Sequence, residues 1–138
     1  MKYLLDTNVI SEARRPRGDD RVKRWISSVP VEDLFLSVLT LGEVRRGIGL
    51  LEGRDPVQAE VYEAWLATVL RDYADRIVPV DAETAEEWGS MNVPHPVPVV
   101  DGLMAATAKV RNMTFVTRNT SDVARTGARL LNPFDSPA

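Results

Sequence analysis

The chain has 138 residues, 44 % hydrophobic and 27 % charged, with a formal net charge of −3; this length suits one compact domain, residues 1–138, burying roughly two-thirds of its unfolded surface. The absence of cysteine excludes disulfides, thiolate metal sites and a cysteine nucleophile, and no apolar run approaches bilayer length. Asp6 and Asn8 interrupt the apolar start that a signal peptide would need, so a cytoplasmic protein without a membrane span is expected.

Tyr3-Leu4-Leu5 is an apolar run without helical period and predicts a buried parallel strand, ended by the polar Asp6-Thr7-Asn8 before a helix resumes at Val9. Arg15 to Asp19 reads as a loop. Asp19 or Asp20 caps a short helix carrying Val22, Trp25 and Ile26, which Pro30 stops. Residues 33–37 predict a second strand, and Leu41, Val44, Ile48 and Leu51 mark the core stripe of the next helix. A long helical pattern spans residues 55–76. Ile77-Val78-Pro79-Val80 predicts a third strand, at an edge because of its proline. A helix capped by Asp81 follows, then the stiff loop Pro94-His95-Pro96-Val97-Pro98 and a helix over residues 99–108 that is apolar nearly all round. Thr114-Phe115-Val116-Thr117 is the fourth strand, and Arg129-Leu130-Leu131 a possible fifth before a frayed end. Strands alternating with helices define an α/β fold with a parallel sheet and right-handed crossovers.

In such a sheet, polar residues at the carboxyl ends of strands line the ligand crevice. Asp6 ends the first strand, and Asn119 and Asp122 follow the fourth. Asp101 lies in the first turn of the buried helix, where free amides favour negative charge. Glu43 falls off the apolar stripe of its helix, beside Gly47. Each acid alone has a plain alternative as a helix cap. Together, carboxylates repel by about 4 kcal/mol per close pair in a moderately screened site, and a cation relieves that. All-oxygen donors select a hard ion, Mg2+ or Mn2+, which can activate water and stabilise phosphoryl charge. The mild acidity of the chain argues against nucleic-acid binding, but Arg14, Arg15 and Arg17, followed by Arg21, Lys23 and Arg24, crowd one segment, and Arg45-Arg46 form a second basic spot.

DTNVISE at Asp6, LGEVRRG around Glu43, VVDGLMAATA at Asp101, TRNTSD ending at Asp122 and the closing LLNPF resemble the PIN-domain family, and more narrowly its VapC-type toxins of bacterial toxin–antitoxin pairs. The resemblance covers essentially the whole chain. It implies a PIN-like three-layer fold with a central parallel sheet of four to five strands, and a Mg2+-dependent endoribonuclease that hydrolyses RNA phosphodiesters with metal-activated water. It carries Asp6, Glu43 and Asp101 over as the acidic core, with Asp6 and Asp101 as metal ligands. Many relatives have an acid where this chain has Asn119, so Asn119 and Asp122 are the two candidates for the fourth position of the site. Gly102 stands where alanine is expected and is read as immaterial. The resemblance further implies a cognate antitoxin (VapB-like) seated over the active site, and the 55–76 helix offers apolar surface for that partner or for a homodimer. Arg14, Arg15, Arg17, Arg45 and Arg46 are the candidate RNA contacts.

The residues set other functions aside. An aspartate-nucleophile phosphohydrolase wants a second aspartate where Asn8 stands, and a receiver domain wants paired acids ending the first strand. A non-catalytic PIN-like binding module is favoured only by Asn119. His95, the lone histidine, has no acidic or imidazole partner nearby in sequence and reads as a surface residue, and Trp25, Trp65 and Trp88 fall in apolar helical phase and read as packing residues.

Overall fold

Tyr3–Leu5 forms the central strand β1, and its alternation sends the fully buried Leu4 and Leu5 to opposite faces of the sheet. The computed structural model describes residues 1–135. Its other strands are Leu34–Ser37 (β2), Ile77–Val78 (β3), Thr114–Val116 (β4) and Leu130–Leu131 (β5). All pair in parallel, in the order β3-β2-β1-β4-β5. The helices are Thr7–Arg14 (α1), Asp20–Ser28 (α2), Val38–Glu52 (α3), Pro56–Asp72 (α4), Ala82–Met91 (α5) and Val99–Val110 (α6). Among the described residues no helix is long and apolar enough to cross a membrane.

Two apolar clusters sandwich the sheet. On one face Leu5, Leu34, Leu36 and Val116 pack against Val9 and Ile10 of α1, Val22 of α2 and Val69 of α4. On the other, Leu4 and Phe115 pack against Met104, Ala105 and Ala108 of α6. The small residues of α6 let that helix lie close to the strands, which is why its apolar character runs nearly all round. A third cluster of Val44, Ile48, Ala59 and Leu66 zips α3 to α4. The strand order runs outward from β1 to β3 and then returns to β4 on the other side. This creates a topological switch point between β1 and β4, outside whose carboxyl ends a crevice forms.

Three boundaries differ from the sequence pattern. The first helix starts at Thr7 rather than Val9, because Asp6 is its N-cap and accepts the Thr7 N–H at 2.7 Å. The 55–76 pattern ends as helix at Asp72. Its apolar rhythm continues to Tyr73 because that ring packs on the core under the Arg76 guanidinium, 4.6 Å away, while Arg76 donates to the carbonyls of Val31, Leu34 and Asp72. The short helix after β4 is a 3-10 segment, Thr120–Thr126. β3 is an edge strand, as Pro79 requires. The expected fraying concerns residues 136–138, outside the described residues.

Candidate active site

Asp6 leaves β1 at the switch point and is 4 % exposed. Three donors hold its carboxylate: the Thr7 N–H on Oδ1, the Thr117 hydroxyl on Oδ2 at 2.7 Å, and the Asn8 amide on Oδ2 at 3.3 Å. Burial nevertheless outweighs them. It lifts the Asp6 pKa from 3.8 to about 6, and the nearby charges of Asp101 and Glu43 add to the rise. Thr117 ends β4 and is 1 % exposed; its oxygen also accepts the Asn119 N–H at 3.0 Å, which fixes the hydroxyl for donation to Asp6. Sequence reasoning placed Thr117 only as a strand residue. Its single visible signal was a hydroxyl at a strand end beside the polar Arg118-Asn119.

Glu43 reaches the same mouth from α3. The Thr7 hydroxyl donates to its Oε1 at 2.5 Å and lies 3.1 Å from the buried Thr40 hydroxyl. Thr7 therefore ties α1 to α3 and aims the otherwise exposed Glu43. Asn8 joins Asp6 to the opposite wall, where its Oδ1 accepts the Arg118 N–H at 3.4 Å. Both residues do more than cap a helix.

Asp101 is half-buried in the first turn of α6. Burial raises its pKa, and so do the charges of Asp122 and Glu43. Asp122 sits one 3-10 turn beyond Asn119, its N–H donating to the Asn119 carbonyl at 3.1 Å. Asn119 frames the mouth by backbone contacts to Thr117 and Asp122. The residue beside Asp101 is not immaterial. A Cβ at Gly102 would stand 2.6 Å from Val97 Cγ2 and 3.2 Å from Trp88 Nε1, so glycine lets the 94–98 loop and Trp88 of α5 close on the start of α6.

The donor set fits a hard divalent cation. Asp6 and Asp101, with Glu43 and Asp122 as further acids, offer only oxygen donors, and among the described residues none of the four forms an ion pair with lysine or arginine. Among those residues no three acidic or imidazole groups already encircle an ion-sized space. Mg2+ needs no such cage, since it keeps several waters and takes one or two carboxylates.

The structure separates the candidate RNA contacts. Arg15 and Arg17 are exposed in the loop after α1, with Arg15 3.6 Å from Glu12. Gly18 allows that loop to turn tightly, because a Cβ there would meet the Glu12 carbonyl at 2.2 Å. Arg46 is exposed and has no ion pair among the described residues. Arg45 instead forks onto Glu63 of α4. Arg14 is turned inward onto Tyr62 and Trp65. His95 is exposed, and the three tryptophans are partly buried in packing positions. Beside the acids runs a groove of about 340 Å³ between α1, α3 and α4, lined by Thr7, Ser11, Glu43, Gly47, Tyr62 and Trp65 among others.

This fold is that of a known class: the PIN domain family model matches residues 3–128, and the chain belongs to the PIN-domain family. Within it, the chain is 34 % identical over 136 residues to Toxin FitB of Neisseria gonorrhoeae (strain ATCC 700825 / FA 1090), covering 95 % of this chain and 97 % of the relative. It is 29 % identical over 138 residues to VapC ribonuclease Y4jK of Sinorhizobium fredii (strain NBRC 101917 / NGR234), covering 96 % and 97 %. The crystal structure of FitAcB from Neisseria gonorrhoeae superimposes with a TM-score of 0.89 at 34 % identity, over 97 % of this chain and 99 % of that chain.

Proposed function

We propose that the chain is a Mg2+-dependent endoribonuclease and the toxin of a toxin–antitoxin pair. The observation carrying this is the buried Asp6 at the switch point, with the charges of Asp101 and Glu43 acting on it and none of the three ion-paired to lysine or arginine among the described residues. The toxin and ribonuclease names of its relatives agree with it. Asp6 and Asp101 would hold the ion. When bound, a divalent cation there supplies charge neutralisation at a phosphoryl group and lowers the pKa of water. Thr117 and the Thr7 N–H keep both Asp6 oxygens oriented toward the mouth. Glu43, aimed by Thr7, accepts a proton from or orients the attacking water. The test is cleavage of RNA by partner-free protein in EDTA and after Mg2+ is restored. Cleavage only with Mg2+ supports the proposal, and full cleavage in EDTA overturns it.

Asp122, not Asn119, supplies the fourth charge. Asp122→Asn therefore raises the Mg2+ concentration for half-maximal cleavage by about 10-fold or more, in the range for groups that tune a ligand. Asn119→Asp leaves it equal or lower. If Asp122 were only a helix cap, its replacement would cost about 1 kcal/mol of stability and leave the Mg2+ requirement unchanged. Mg2+ titrations and thermal melts of both variants separate the two roles.

RNA lies across the site toward the exposed Arg15, Arg17 and Arg46. Each phosphate contact removed flattens the dependence of log binding constant on log salt by about one. Arg15→Ala combined with Arg17→Ala is expected to flatten it by about two, measured by binding of non-cleaved RNA between low and moderate salt; an unchanged slope makes both ordinary surface residues.

The groove beside Glu43 receives a segment of the antitoxin, whose basic side chain meets the unpaired carboxylates and whose apolar residues meet Val44, Ile48 and Leu51. The exposed Val57, Val61 and Leu70 of α4 offer apolar surface for a homodimer. A cytoplasmic location belongs to the same proposal, because that is where RNA substrate and antitoxin meet.

A further inference from the structure

The walls of the groove beside the acidic site are joined at three corners. α3 and α4 meet through the Gly53–Asp55 turn, where Asp55 caps α4 by accepting the Gln58 N–H at 3.1 Å, and through the Val44/Ile48/Ala59/Leu66 seam. α1 and α3 meet through Thr7, bonded to Glu43 and beside Thr40. α1 and α4 otherwise touch little, and their corner is Arg14. Its guanidinium carbon lies 4.2 Å from the Tyr62 ring centroid and 5.2 Å from that of Trp65, and these two rings stand edge to face at 6.3 Å. Arg14 has no ion pair among the described residues, and its Nε is enclosed without a hydrogen-bond partner. The cation is held by aromatic faces, an interaction that strengthens as water is excluded. The same guanidinium holds the Tyr62 phenol below its ordinary pKa.

We propose that Arg14 is a positioning residue: it holds the Tyr62–Trp65 wall of α4 against α1 and thereby sets the aperture of the groove for the antitoxin segment that occupies it. This rests on the toxin–antitoxin reading above. Thr7, Ser11 and Arg14 fall at helical spacing on one face of α1, and Thr7, Ser11, Tyr62 and Trp65 all line the groove. Losing the Arg14 corner frees the first half of α4 from α1 while the Val44 seam and the Thr7 corner remain. The groove then widens without losing a residue that a partner must touch. A basic residue next to Arg15 in sequence thus serves shape, whereas Arg15 and Arg17 serve charge.

The test uses the full chain and its cognate antitoxin, with Arg14→Gln and Arg14→Lys beside the wild type. Calorimetry gives antitoxin affinity, hydrogen exchange gives the mobility of residues 57–65, and RNA binding is followed against salt. Arg14→Gln keeps length and polarity without the cation. It weakens antitoxin binding by roughly 2- to 30-fold, the span of a half-exposed to desolvated cation–π contact, and speeds amide exchange across 57–65. Arg14→Lys, which keeps the cation but stacks less well, falls between, and this variant decides the matter should the glutamine variant unfold. The salt slope of RNA binding stays at the wild-type value in both. Wild-type affinity for antitoxin in both variants, or a salt slope flattened by about one, overturns the role given to Arg14 alone. Failure of the wild type to bind its antitoxin overturns the toxin–antitoxin reading and this inference together.

Discussion

Asp6→Asn and Asp101→Asn each lower Mg2+-dependent RNA cleavage by more than about 100-fold, beyond the loss seen when only a supporting group around a metal is removed, and both raise the melting temperature in metal-free buffer near neutral pH. The stability gain follows from the sign of the pKa shifts. A carboxyl whose pKa is raised in the folded state binds its proton more tightly there than in the unfolded chain. Its contribution is therefore full below its ordinary pKa and is lost as pH rises through the folded value. For Asp6 that window runs from 3.8 to about 6, a difference of about 3 kcal/mol. Metal-free wild type should lose stability across this window, and Asp6→Asn should lose less of it. Asp101, also raised, acts in the same direction. Cation binding restores the loss at neutral pH and requires ionised Asp6, so the Mg2+ requirement should climb as pH falls below about 6. Paired thermal melts with and without Mg2+, at pH 5 and pH 7.5, check both. An Asn variant with full activity, or one destabilised in metal-free buffer at neutral pH, would remove that carboxylate from the cation site.

Thr117→Val has the second-largest expected effect. It preserves shape but removes the 2.7 Å hydrogen bond to Asp6 Oδ2 and the acceptor of the Asn119 N–H. Losing a group that orients a metal ligand costs about 10- to 100-fold in metal affinity or activity, and leaving the partly buried Asn119 N–H without its acceptor costs about 1 kcal/mol of stability. Thr117→Ser keeps the hydroxyl and should restore metal affinity, whatever it loses in packing. Metal titration of both variants, with melts alongside, separates orientation from mere stability. Equal metal affinity for valine and wild type would reduce Thr117 to a packing residue.

What could be seen in the sequence follows from how local its physical cause is. β1 and Asp6 were legible because a buried parallel strand must be apolar and must end at a polar mouth. The position of Asp101 was legible because it is a lone carboxylate in an otherwise apolar helix, in the first turn where free amides favour its charge. The parallel α/β sheet was legible in strands and helices alternating, and its three-layer order in the family resemblance. Thr117 was not legible: its partner lies 111 residues away, and a threonine at a strand end looks the same whether or not it meets a carboxylate. The Arg14–Arg17 run presented one charge density, yet helical phase turns Arg14 inward and leaves Arg15 and Arg17 outside. Gly102 passed as a neutral departure because its cause, Val97 and Trp88 closing on α6, is tertiary. The effect of the Asp122 charge on Asp101 was not legible either, because it depends on the 3-10 turn that follows β4.

The central claim is that Asp6 and Asp101 hold a divalent cation on which RNA cleavage depends. Binding of Mn2+ as a spin probe, followed by electron paramagnetic resonance on chelator-treated protein, reads that directly. The wild type should sequester Mn2+ and release it to excess Mg2+, while Asp6→Asn and Asp101→Asn should leave the ion free in solution. Equal Mn2+ binding by the wild type and both variants would contradict the account.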